Sequence, residues 1–285
     1  MSHKVGAWTT EPSRALRVHD GFVLADARTD AHPGFHGHKH DGARVLADEA
    51  GTLADLQERL FASSVAGDTR SVLLVLQAMD SAGKGGIVGH VVGAVNPMGV
   101  EYTAFKKPTE QELSHNFLWR VRRVLPGPGI IGVFDRSHYE DVLIGRVRSL
   151  VDAAEIERRY GAINTFERKL TESGTSIVKV MLHLGRREQK KRLEARLDNP
   201  DKHWKYHPGD VDERLVWDEY QDAYQVMLDR TSTEYAPWYV VPADKKWYAR
   251  LVVQRLLIGA LDELKLQWPA AEFDVEGEKA RLAAS

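Results

Sequence analysis

The sequence predicts an α/β fold: a parallel sheet with helices on both faces. Three observations predict it. Strand-length apolar runs alternate with helical patterns from about residue 52 to residue 264. The runs are apolar at nearly every position, the mark of strands buried on two sides. A loop of small residues joins one run to a helix at 78–86, and in open α/β sheets ligands sit beyond the carboxyl ends of the strands.

The elements follow in order. Residues 1–50 are polar, rich in Gly and His and weakly periodic, and read as an irregular N-terminal extension. Within it AHPGFHGHKH places His36, His38 and His40 at alternate positions. No carboxylate pattern accompanies them, so they read as an exposed loop rather than a metal site. LADLQERLFASS reads as a helix with Leu53, Leu56, Leu60 and Phe61 on one face. Strands are predicted at 71–77, 100–105, 130–134, 176–184 and 236–242. Helices are predicted at 86–95, 154–174, 186–197, 212–232 and 246–264. A further helix over 109–125 opens on a capping box, Thr109 with Glu112, and stops at Pro126 and Pro128.

Composition narrows the function. With 285 residues, 43% of them hydrophobic, a sizeable core is available. The absence of cysteine removes disulfides and thiolate metal sites. No apolar stretch approaches the ~18 residues of a membrane span, and no signal-like segment opens the chain, so a soluble, cytoplasmic protein without a membrane partner is expected. The net charge of −2 gives no global basic field, so an anionic substrate needs a local patch. Residues 179–196 supply a candidate: Lys179, Arg186, Arg187, Lys190, Lys191, Arg192 and Arg196 against Glu188 and Glu194. A solvated helix face is the plainer reading of that stretch.

The chemistry concentrates in LLVLQAMDSAGKGGIV, residues 73–88. It nearly matches the phosphate-binding loop G-x-x-x-x-G-K-[ST]. Ala78 replaces the first glycine, and Gly85 stands where a hydroxyl normally holds magnesium. The amides of Ser81, Ala82, Gly83, Gly85 and Gly86 can converge on an anion, and Lys84 can reach terminal phosphate oxygens. A plain glycine-rich turn is the alternative. GIIGVFDRSHYEDVL decides between them by ending an apolar strand on Asp135, the position of a metal-binding carboxylate in phosphoryl-transfer enzymes. Asp80 then takes the place of the missing hydroxyl, and Asp80 and Asp135 face one magnesium from two sides, with water and substrate oxygens completing it.

The blocks AMDSAGKGG, GAVNPMGVEYTAFKKPT, FLWR, FDRSHYEDVL, KHWKYHPGDVDERLVWDEYQDAYQVMLDRTS and APWYVVPADKKWYARL closely resemble the polyphosphate kinase 2 family, in order, from about residue 40 to 265. The resemblance implies a three-layer α/β/α P-loop kinase sandwich similar to thymidylate kinase. It divides the chain into an extension at 1–50 and one kinase domain at 51–285, with a helical lid at about 186–212. The implied activity is phosphoryl transfer between inorganic polyphosphate and adenine or guanine nucleotides. Mg2+ is the implied cofactor with Mn2+ as the alternative ion, and a homodimer or homotetramer is the implied assembly.

Residue by residue, the family's loop Asp and Lys fall on Asp80 and Lys84, and its strand-end Asp-Arg pair on Asp135 and Arg136. Its lid arginine falls on Arg196, with Arg192 one turn earlier. Lys106, Lys107, Arg120, Arg123 and Arg146 become candidate walls of a polyphosphate channel, with surface ion pairs as the alternative. His138 and Glu140 read as support for Asp135. Trp204 and Tyr206 either meet a nucleotide base or pack the lid, and the backbone of 242–244 lies where related kinases contact a base. FKKPT, FLWR and RSHYEDVL resemble members that use both AMP and ADP. Asp135 and Gly85 resemble ADP users, so ADP is the expected acceptor with AMP beside it.

Two other classes compete: an ATP-dependent nucleotide kinase and a non-catalytic nucleotide-binding module. The basic lid face and FKKPT speak against the first, and the Asp80–Asp135 pair against the second. Nucleic-acid binding is not expected, because the basic stretches lack interleaved aromatic platforms.

Overall fold

The structure, a computed structural model, describes residues 7–285. Strands β1 (Ala7–Trp8) and β2 (Phe35–His36) form a small antiparallel pair. The main sheet holds β3 (Ser71–Ala78), β4 (Val100–Ala104), β5 (Ile131–Asp135), β6 (Thr175–His183) and β7 (Trp238–Pro242). Its five strands are all parallel, in the order β4-β5-β3-β6-β7. The helices are α1 (Pro12–Ala15), α2 (Lys39–Asp48), α3 (Ala50–Val65), α4 (Lys84–His90), α5 (Glu110–Leu113), α6 (Trp119–Arg122) and α7 (Glu140–Val147). They continue as α8 (Ala153–Glu172), α9 (Arg186–Leu197), α10 (Gly209–Leu215), α11 (Trp217–Thr231), α12 (Lys246–Glu263) and α13 (Val275–Ala283).

Alternation along β3 explains its unbroken apolar run. Val72, Leu74 and Leu76 enter one core with α3, α4 and α12, while Leu73 and Val75 enter the other with α7, α8 and α11. The two cores flank the sheet and make the three-layer α/β/α sandwich. Register brings Leu76 beside Asp135, so the loop after β3 and the end of β5 are neighbours.

Several local expectations give way. Residues 7–50 are not a loose extension: Leu16, Val18, Leu24, Phe35 and Val45 are buried in the two cores, and residues 1–6 of the expected extension lie outside the described residues. Val18 N–H donates to Trp238 O, and Val240 N–H to Leu16 O, so this segment covers the free edge of β7. His36, His38 and His40 are exposed, as expected, but His36 lies in β2, His38 caps α2 and His40 lies within it, so they do not form a loop. The helix over 109–125 shrinks to α5 and α6. Asn116 Oδ1 accepts Leu118 N–H at 3.0 Å, a local turn that competes with helix between them. The helix over 86–95 gives way after α4 to a short 3-10 turn at Val92–Ala94. That over 212–232 divides at Val216 into α10 and α11.

Candidate active site

The loop between β3 and α4 turns through two left-handed residues, Ser81 at φ 69° and Gly83 at φ 118°. Glycine is needed at the second, because a side chain there is strained. A Cβ on Gly85 would meet nothing within 4 Å, so sterics do not forbid the hydroxyl that this position lacks. Gly86 is tighter: its Cβ would stand 3.2 Å from the Arg250 guanidinium.

Four of the predicted residues converge as two crossed ion pairs. Lys84 Nζ lies 3.5 Å from Asp135 Oδ1, and Arg136 donates to Asp80 Oδ1 at 2.8 Å. Arg136 also reaches Glu140 at 3.4 Å. Burial opposes charge on Arg136, but Glu140 and Asp80 more than offset it and hold its pKa above the usual value. Burial likewise pushes the Glu140 carboxyl up, against the pull of Arg136 and Lys84. The Ser81 hydroxyl is buried without a hydrogen-bond partner in this loop.

Three contributors had no signature in the sequence. Tyr102, on β4, donates its hydroxyl to Asp135 Oδ2 at 3.2 Å. Its pKa is pushed up to about 12 by burial and by that carboxylate, so it stays a donor at physiological pH. Gln189 Nε2 donates to the Asp80 carbonyl at 3.1 Å. Asp210, at the start of α10, has its pKa raised by burial and by the nearby Asp80. Only the fold brings these side chains to the loop.

The two arginines of α9 play different parts. Arg192 is buried and gives its guanidinium to the carbonyls of Ser81, Ala82, Ala243 and Asp244 at 2.7–3.0 Å. It therefore fastens the phosphate loop to the end of β7 rather than facing a ligand. The same bonds occupy the 243–244 carbonyls expected near a base. Arg196, with about a quarter of its side chain exposed, donates to Lys205 O at 2.8 Å and pairs with Asp210 at 3.3 Å. Trp204 is 79% exposed with Lys205 over its ring, so it does not pack the lid against the body. Of the seven cations in the 179–196 stretch, Lys179 and Arg192 are buried and do not belong to a surface patch.

The channel candidates separate as well. Lys106, Lys107, Arg123 and Arg146 are exposed. Arg120 is buried, donating to Lys106 O at 2.9 Å and lying 3.6 Å from Asp141, so it braces the 105–107 segment instead of lining a surface.

Residues 36–269 match the family model described as polyphosphate kinase 2. The chain belongs to the polyphosphate kinase 2 family. Over 251 residues it is 46% identical to a protein of Meiothermus ruber named AMP/ADP-polyphosphate phosphotransferase, covering 88% of this chain and 92% of that one. It is 43% identical over 247 residues to an ADP-polyphosphate phosphotransferase of Rhodopseudomonas palustris, covering 82% and 84%. The crystal structure of polyphosphate kinase 2 from Arthrobacter aurescens TC1 superposes with a TM-score of 0.96 at 58% identity, over 98% of this chain and 99% of that one. The family's P-loop kinase sandwich is thus the fold observed here, as the resemblance implied.

Proposed function

We propose that this member transfers the terminal phosphoryl group of inorganic polyphosphate to a nucleoside diphosphate, ADP first, with AMP and guanine nucleotides as further acceptors. The observation that carries the reading is the crossed pair Lys84–Asp135 and Arg136–Asp80 on one glycine-rich loop. Family membership and the names of the two relatives support the substrates.

The donor set fits a hard divalent ion. The loop and the adjoining strand end supply two carboxylates, Asp80 and Asp135, and one unpartnered hydroxyl, Ser81 Oγ. Among the described residues no three His, Cys, Asp or Glu groups form a ready cage, so water and phosphate oxygens complete the shell, as magnesium prefers. Asp80 and Asp135 hold the ion, Mg2+ with Mn2+ as the alternative. Bound there, it neutralises charge on the donor and acceptor phosphates.

The chain's own residues do the rest. The amides of Ser81–Gly86 and Lys84 orient the donor phosphate, and Arg136 and Arg196 meet charge that spreads over the transferred group's oxygens. An acceptor phosphate oxygen forms the new P–O bond as the bond to the polyphosphate leaving oxygen breaks. The acceptor is already an anion, so no general base is required. Lys106, Lys107, Arg123 and Arg146 are proposed to attract the polyphosphate chain, residues 186–212 to act as the lid, and the protein to work as a cytoplasmic dimer or tetramer. In the described residues no helix is long and apolar enough to cross a membrane.

The test is ATP formation from purified protein, magnesium, polyphosphate and ADP with no ATP added, and with AMP, GMP and GDP in parallel. ATP formation is the expected result. No product with polyphosphate, but turnover with ATP as donor, would instead identify an ordinary nucleotide kinase.

A further inference from the structure

Lys179 lies mid-strand in β6 and is 0% exposed, on the sheet face that carries Ile177 and Met181. Its ammonium donates to Glu167 Oε2 at 2.6 Å, Tyr139 Oη at 2.9 Å and Thr231 O at 2.7 Å. Those bonds use all its protons. Glu167, 1% exposed, accepts on Oε1 from the Tyr139 hydroxyl at 2.6 Å, with His138 Nε2 3.2 Å from the same oxygen. The Tyr139 and Trp238 rings wall the ammonium at 5.4 and 5.2 Å.

Stability alone does not account for such a pair. Desolvation rivals the attraction, and apolar replacements of similar volume are often as stable or more so. Its attachment point gives a better reason. His138 and Tyr139 directly follow Asp135, Arg136 and Ser137 in the chain. Arg136 sits at φ 64°, a left-handed conformation that costs energy and persists only where the surroundings impose it. The surroundings do impose it. Ser137 Oγ accepts from Gln77 Nε2 at 3.0 Å and from Tyr139 N–H at 3.2 Å. The next two side chains then both end on the Glu167 carboxylate.

We propose that Lys179, Glu167, Tyr139 and His138 form a positioning network that fixes, from inside the sheet, the backbone turn aiming Arg136 at Asp80. The network touches no substrate. The proposal rests on the phosphoryl-transfer reading for the role of Arg136, and on geometry alone for the network.

A double-mutant cycle separates positioning from plain structural support. Tyr139→Phe removes one hydroxyl and keeps the ring. It should lower kcat about tenfold, with KM for ADP and polyphosphate unchanged within about twofold. In an Arg136→Lys background the same change should cost less than about twofold, because the group it aims is already altered. Equal losses in both backgrounds, or an unchanged kcat in the first, would overturn the proposal. If Tyr139→Phe does not fold, His138→Asn cuts the second tie to Glu167 and is read the same way. A crystal structure of the folded variant gives a readout independent of turnover. Arg136 should leave its left-handed turn and its contact with Asp80; an unmoved Arg136 would contradict the network. Absence of turnover by the unmodified chain would count against the proposed reaction, while the crystal structure still decides the network.

Discussion

Two lysine–carboxylate clusters each join a strand of the same sheet to a helix and are built in opposite ways. At the strand ends, Lys84 and Asp135 stand 3.5 Å apart, both partly exposed, and the loop leading to Lys84 also carries a hydroxyl with no partner. In the interior, Lys179 and Glu167 close to 2.6 Å, and every lysine proton is satisfied. The contrast teaches how to tell a binding site from a brace made of the same residue types. A brace spends its hydrogen bonds within the protein, because an unmet buried charge is costly. A site for polyanions leaves its cations and carboxylates partly exposed, so that phosphate and metal can take over their bonds.

The sharpest break of this comparison is Asp135→Asn. It should cut kcat by about a thousandfold, since metal charge stabilisation contributes several kcal/mol to such reactions. The midpoint of thermal unfolding should stay within a few degrees, because Asp135 is not a brace. A coupled ATP assay and a melting curve check both halves.

The same substitution at the two lysines comes next. Lys179→Met strands Glu167 in the core and should cost about 3–5 kcal/mol in urea unfolding. Lys84→Met should change stability by less than about 1 kcal/mol and abolish most turnover. Reversed results would mean the clusters have been assigned the wrong way round.

The arginines of α9 offer a smaller version. Arg192→Ala frees four carbonyls and should lower stability by about 2–4 kcal/mol. Arg196→Ala should leave stability within about 1 kcal/mol and lower kcat about tenfold to a hundredfold. Gly85→Ser has the smallest expected effect. There is room for the side chain, and with Asp80 already at the metal the apparent magnesium affinity should move by less than about threefold. A larger gain would show that Asp80 does not replace the hydroxyl.

Legibility in the sequence followed the same physics. The strands could be read because burial on two faces leaves unbroken apolar runs, and β3, β5 and β6 end within a residue or two of where those runs end. The helix over 109–125 could not, because the Asn116 turn that interrupts it is one side-chain hydrogen bond with no periodic trace. Residues 7–50 hid their role for a related reason: the buried side chains of 7–38 are scattered over short elements, with Leu16 and Val18 covering an edge, and α2 buries only Gly42 and Val45, too few to print a helical period. At the site, Asp80, Lys84, Asp135 and Arg136 were legible because loop and strand end carry local motifs. Tyr102, Gln189 and Asp210 arrive by tertiary contact and left none. Lys179 did leave one. A lysine inside SIVKVMLHL, a run otherwise apolar enough to be buried on both faces, marks a buried charge that needs a partner rather than part of a surface patch.

One measurement bears most directly on the shared-metal claim: the anomalous-scattering map of a crystal containing Mn2+ and ADP. A peak is expected within about 2–2.3 Å of a carboxylate oxygen of Asp80 or Asp135, with the other carboxylate bound directly or through one water. A manganese ion seated elsewhere, with Asp80 and Asp135 still paired to Arg136 and Lys84, would contradict it.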